Sequence, residues 1–169
     1  MPLNILPLHF KRYMERQLMA KSDGWCVWVT GLSGSGKSVV SEALLELLSQ
    51  KGIHAQLLAQ NSVNVVIDDT GNLRRYREST RKQIPIFIEA YLECPVEICT
   101  EREAERKTTY QAPKQIYFKV LEGKAPTVPG VGQPYEPPLK PEITIDTTKH
   151  TPEESAQKIL NITLAHGKS

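Results

Sequence analysis

Short apolar runs alternate with amphipathic stretches along the chain. Trp25 to Thr30 (WCVWVT) is a continuous apolar run rich in β-formers, the pattern of a strand buried on both faces of a parallel sheet. Residues 37–50 carry Val40, Leu44, Leu47 and Leu48 at helical spacing, and Gly52 follows as a left-handed cap. Further strands are predicted at 53–59, 63–67, 86–92 and 142–145. Residues 72–83 read as a polar helix capped by Asn72. Pro95 opens a helix running to about residue 107, and residues 114–122 form another that stops at Gly123. Thr151, Pro152 and Glu154 open a C-terminal helix with a capping signature. Ahead of all these, residues 8–20 predict an N-terminal helix, ended by Asp23 and Gly24.

Strands alternating with helices predict an α/β fold, three layers α/β/α around a mostly parallel five-stranded sheet. The length of 169 residues suits one domain, residues 24–169, preceded by a helical extension at 1–23. Residues 124–141 hold six of the twelve prolines, so they predict an ordered extended loop. One place breaks the pattern. Only Gln60, Asn61 and Ser62 separate the second predicted strand from the third, whereas parallel neighbours need a crossover of about a dozen residues. Either the two strands form an antiparallel hairpin, or a crossover segment is absent near 60–62, which is the reading we favour.

Composition narrows the class. The net charge of +2, with no basic block, gives no electrostatic footprint for nucleic acid. No apolar run approaches the roughly 20 residues that cross a bilayer, and no signal peptide is visible. Cys26, Cys94 and Cys99 form no metal or redox spacing, and Cys26 sits in an apolar run as a buried thiol. A cytoplasmic protein with small-molecule partners is expected. The four histidines are scattered and carry no role.

The chemistry begins at GLSGSGKS (31–38), which matches GxxxxGK[ST] between a buried strand and an amphipathic helix. Gly31, Gly34 and Gly36 permit backbone angles and close approach that side chains would block. Amides from Gly34 to Ser38, with the helix dipole behind them, surround a phosphate. Gly31, Ser33, Gly34, Ser35, Gly36, Lys37 and Ser38 are therefore candidate triphosphate ligands. Lys37 reaches the outer phosphates as a catalytic point charge, and Ser38 supplies a hydroxyl to Mg²⁺. Asp68 and Asp69 end the third strand beside this loop, where an acidic residue commonly orders the metal. Asp68 is the candidate metal and catalytic carboxylate.

Arg74, Arg75 and Arg77 follow at the carboxyl end of the same strand. They read either as phosphate or sulfate ligands or as the charged solvent face of a helix. Arg102, Arg106, Lys107, Lys114 and Tyr117 mark residues 103–123 as a candidate mobile lid that excludes water.

Taken together, WVTGLSGSGKS (28–38), YLECPVEIC (91–99), APKQIY (112–117) and PGVGQPYEPPLKPEITIDT (129–147) resemble the adenylylsulfate kinase family of P-loop kinases. The resemblance implies a P-loop kinase fold and transfer of the γ-phosphate of ATP, with Mg²⁺, to the 3′-hydroxyl of adenylylsulfate in sulfate assimilation. It also implies a possible homodimer. Carried over, Arg102 and the loop Pro134–Pro138 would flank a nucleotide base. Lys114 and Tyr117 would sit in the lid near phosphates and substrate, and Arg74 and Arg77 match arginines that follow the third strand. Two departures stand out. The family usually has an Asp-Gly-Asp stretch, arginines and a helix after the second strand, supplying an aspartate and half the acceptor site; here IHAQLLA runs straight into Gln60. The family's Ile-Ser-Pro-Tyr-Arg is here Thr70-Gly71-Asn72-Leu73-Arg74. Other small-molecule kinases of this fold and a non-catalytic nucleotide-binding module are the rival readings.

Overall fold

A computed structural model describes residues 24–57, 64–105, 115–124 and 128–166. The expected N-terminal helix, the break at 60–62, and Arg106, Lys107 and Lys114 of the lid lie outside the described residues.

Five strands form one parallel sheet: β1 (Trp25–Thr30), β2 (Gln56–Leu57), β3 (Val65–Asp68), β4 (Ile86–Glu93) and β7 (Ile143–Asp146), in the order β2-β3-β1-β4-β7. Two further two-residue strands, β5 (Val128–Pro129) and β6 (Gly132–Gln133), pair within the proline-rich loop. The helices are α1 (Lys37–Gln50), α2 (Arg74–Arg81), α3 (Val96–Glu105), α4 (Ile116–Leu121) and α5 (Pro152–His166). β2 pairs with β3 in parallel, Gln56 opposite Val65 and Leu57 opposite Val66, so the hairpin alternative is not what forms.

The two faces of β1 sort the core, because successive side chains point to opposite sides of a strand. Trp25, Val27 and Val29 meet Val40, Leu44 and Leu48 of α1 and Ala156, Ile159 and Leu160 of α5, together with Val66, Ile88, Ala90, Leu92 and Ile145. Cys26 and Trp28 join Val65, Ile67 and Phe87 on the other face. A third cluster, Cys94, Cys99, Tyr117 and Val128, packs beside the carboxyl end of the sheet.

The helix boundaries follow local chemistry. Gly52 has φ 71°, and Gly52 N and Ile53 N donate to Ser49 O and Leu48 O, closing α1. Thr151 N donates to Glu154 Oε2 and Glu154 N to Thr151 Oγ1, the reciprocal cap of α5. At α2 the expected Asn72 cap does not form. Leu73 occupies the cap position without a side-chain bond, and Arg74 N donates instead to Glu136 Oε2 at 2.9 Å. Asn72 Nδ2 donates to Pro134 O. A carboxylate 62 residues along the chain thus satisfies the helix start, which the local sequence does not show.

Candidate functional site

The site lies at the carboxyl end of the sheet, where β1 turns into α1. The strand hands the chain to residues 31–36, and Gly34 (φ 84°) and Gly36 (φ 97°) take left-handed conformations that an L side chain rarely adopts. At Gly34 the reason is also space: a Cβ there would run into the Cys99 carbonyl of α3. Ser35 N donates to Leu32 O, and Val40 N to Gly36 O. No side chain caps α1 at Gly36. The first amides of a helix have no intrahelical acceptor, so this end presents N–H groups and the positive end of the dipole to an anion.

Lys37 Nζ donates to Gly31 O at 3.2 Å and Leu32 O at 3.0 Å, which holds the ammonium over the loop. Ser38 Oγ donates to Asp68 Oδ2 at 2.6 Å. The register explains this contact. Val29 pairs with Asp68, so the end of β3 stands level with the end of β1. These two oxygens are hard ligands of the kind Mg²⁺ takes, beside a place for phosphate oxygens, and they fit such an ion. Among the described residues no group of three or more His, Cys, Asp or Glu could hold a metal ion. Asp69 is turned out to solvent; its backbone donates to Val29 O and accepts from Trp28 Nε1.

The loop is braced from outside. Tyr117 is 2% exposed, and its hydroxyl donates to Ser33 O at 2.7 Å. Leu32 packs into the cluster of Cys94, Cys99, Tyr117 and Val128. Burial pushes the Cys99 thiol up to about 12, helped by the hydrogen bond with Cys94, so it stays protonated. Tyr117 thus meets the loop's backbone through its hydroxyl.

The arginines divide. Arg77 is buried, 1% exposed. Its Nε donates to Glu89 Oε1 at 2.6 Å, Nη2 to Glu136 O at 2.6 Å and Nη1 to Gly71 O. Its guanidinium is held by Glu89, Glu136 and Gly71, so the solvent-face reading does not describe it. Arg75 is exposed and lies against Tyr76. Arg74 is half-buried, with Nε on Pro137 O at 2.7 Å. Arg102 donates to Thr147 Oγ1 (3.1 Å), Thr147 O (2.8 Å) and Cys94 Sγ, just past β7. The loop 134–138 instead bonds to β1 and to α2's start. Arg102 and that loop thus have separate hydrogen-bond partners within the protein.

Sequence reading missed Thr30 and Glu89, and gave Tyr135 and Glu136 only as part of the loop Pro134–Pro138. Thr30 Oγ1 donates its one hydrogen to Thr70 O at 2.6 Å, so Tyr135 must donate to Thr30 across 3.0 Å. Burial pushes the Tyr135 phenol up to about 12, opposed by its bond with Thr30. Tyr135 also stacks on Tyr91 at 6.1 Å, with the Arg77 guanidinium over its ring. Thus the proline-rich loop is fixed to β1, β4 and the stretch after β3. The PYEPP motif was the available signal, but not its partners.

A phosphate-binding loop at the head of a parallel sheet and a strand-end carboxylate on its serine define a phosphate-loop kinase of the α/β class. The family model of adenylylsulphate kinase matches residues 23–71 and 55–146. The chain belongs to the adenylylsulphate kinase family. It is 32% identical to the adenylyl-sulfate kinase of Clostridium acetobutylicum, covering 90% of this chain and 89% of that one. It is also 32% identical to the probable adenylyl-sulfate kinase of Halalkalibacterium halodurans, over 86% and 85%. The fold is similar to a solved structure of the Mycobacterium tuberculosis APS kinase CysC in complex with AMPPNP and APS. There the TM-score is 0.71 at 24% identity, covering 83% of this chain and 98% of that one. The two family matches overlap at 55–71. The Clostridium alignment spans 187 positions, more than this whole chain of 169, so this chain is gapped against it.

Proposed function

We propose that this chain transfers the γ-phosphate of ATP to the 3′-hydroxyl of adenylylsulfate. The observation that carries the reading is the Ser38–Asp68 contact at the mouth of the loop, inside a chain of this family. Mg²⁺, when bound, would be held at Ser38 and Asp68 and would neutralise charge on the phosphates. The chain's own part is positioning and charge. Amides opening α1 hold the inner phosphate, Lys37 offsets negative charge on the outer ones, and Tyr117 keeps the Ser33 peptide in place. The acceptor oxygen bonds to the γ-phosphorus, the bond to the ADP oxygen breaks, and the acceptor hydroxyl loses its proton. Arg102 beside Thr147 would line the nucleotide side, and Arg74 and Lys114 the acceptor side. ADP release with adenylylsulfate, compared with other hydroxyl acceptors, tests the reading. Release with a different acceptor alone would move the chain to another small-molecule kinase.

A second reading is favoured by the gap after β2: a module that binds ATP and transfers nothing. Calorimetry would then show ATP binding while no acceptor released ADP. The homodimer that the resemblance implies is tested by sedimentation of the full chain.

A further inference from the structure

Residues 69–73 join β3 to α2 with no helix or strand of their own. They run from Asp68, the metal carboxylate, to Arg74 on the acceptor side. Three successive carbonyls of this stretch are tied into the protein. Thr30 Oγ1 donates to Thr70 O at 2.6 Å, and the Tyr135 hydroxyl donates to Thr30 Oγ1 at 3.0 Å. Arg77 Nη1 donates to Gly71 O. Glu136 N donates to Asn72 O at 2.8 Å. The amides of the same residues differ: among the described residues nothing accepts from Thr70 N, Gly71 N or Asn72 N. Gly71 is a buried residue, and buried peptide N–H groups are nearly always paired, which leaves these donors for a ligand. Ligands of open α/β sheets sit beyond the carboxyl ends of the strands, where this stretch lies.

We propose that Tyr135, acting through Thr30, is a positioning residue for the acceptor. It fixes the Thr70 carbonyl, and so the direction in which the amides of 70–72 face adenylylsulfate. This role rests on adenylylsulfate being the acceptor. ATP and Mg²⁺ depend on other contacts. Asp68 is held by the pairing of β3 with β1 and by Ser38 Oγ at 2.6 Å. Lys37 is held by Gly31 O and Leu32 O. Nor does the Tyr135 ring need its hydroxyl to stay in place. It stacks on Tyr91 at 6.1 Å, and the Arg77 guanidinium lies over it at 5.7 Å. Thr30 is fully buried, so water does not replace a missing donor there. A hydroxyl that accepts one hydrogen bond donates a stronger one, so losing the Tyr135 hydrogen weakens the Thr30–Thr70 bond as well.

Calorimetry of adenylylsulfate binding to the full chain, with ADP and Mg²⁺ present, tests the proposal. Tyr135→Phe and Thr30→Val should each bind adenylylsulfate about fivefold more weakly, the loss of one hydrogen bond. ATP affinity should stay at the wild-type value in both. The double variant should lose no more than either single one, because both break the same chain of bonds. Thr30→Ser keeps the hydroxyl and should bind adenylylsulfate like wild type. Unchanged adenylylsulfate affinity in Tyr135→Phe would overturn the proposal, as would losses that add in the double variant. ATP affinity that falls in step would also overturn it, by showing a general loosening of the fold. A wild-type chain that binds adenylylsulfate but releases no ADP from ATP would overturn transfer alone, with the positioning role still decided by the same affinities. No binding of adenylylsulfate by the wild type would overturn both.

Discussion

Ser38 Oγ donates to Asp68 Oδ2 across 2.6 Å, joining the phosphate loop to the end of the neighbouring strand. Asp68→Asn keeps an acceptor for the serine but removes the negative charge. It should lower kcat about a hundredfold and raise the Mg²⁺ concentration needed for half-maximal rate. ATP binding without Mg²⁺ should be unchanged. Turnover across a Mg²⁺ titration checks this; an unchanged midpoint would take Asp68 out of the metal site.

Tyr117 reaches Ser33 from α4, outside the loop. Tyr117→Phe removes one hydrogen bond and leaves a half-buried carbonyl short of it, a loss of about 1 kcal/mol. ATP should bind roughly fivefold more weakly. Calorimetry measures it, and wild-type affinity would show that the brace has no bearing on the nucleotide.

Arg77 and Glu89 form a buried ion pair, 1% and 9% exposed at their side chains. Arg77→Ala should cost about 3–5 kcal/mol by urea unfolding, because Glu89 loses its main cation and Gly71 and Glu136 lose a donor. A loss below about 1 kcal/mol would place the stability of this corner elsewhere.

Glu142 ties β7's start to α2 and β4: Arg81 Nη2 donates to it at 2.7 Å and Glu89 N at 2.7 Å. Burial raises its carboxyl, but the bonds from Arg81 and from the Glu89 amide outweigh that, so it lies below the usual carboxylate value. A carboxyl depressed in the folded state contributes stability above its unfolded pKa, about 4.3, and loses it as pH falls through the folded value. Glu142→Gln should therefore be less stable than wild type at pH 7, by about 1–2 kcal/mol. The difference should shrink as pH falls below about 4. Urea unfolding at both pH values checks this, and a difference independent of pH would contradict it.

The phosphate loop was legible because its information is local: glycines, lysine and serine lie within eight residues, between a strand and a helix whose periodicities are clear. β1, α1, β4 and α5 were legible for the same reason. Arg77 was not, because alternating charge on a polar helix looks the same whether the guanidinium meets water or a buried Glu89. Nor was Tyr135, whose partner Thr30 is 105 residues away. The helix start at Arg74 read as a local Asn72 cap because the sequence gives no sign that Glu136 arrives there. The short link after β2 was visible as a conflict with crossover length, and parallel pairing of β2 with β3 removed the hairpin alternative.

The most direct test of the central claim is ADP release by the full chain with Mg²⁺, ATP and adenylylsulfate, run beside Lys37→Ala. Turnover that depends on adenylylsulfate, and that falls roughly a thousandfold in the variant while its fold persists, is the predicted result. Equal turnover in both chains, or ATP binding with no release on any acceptor, would contradict it.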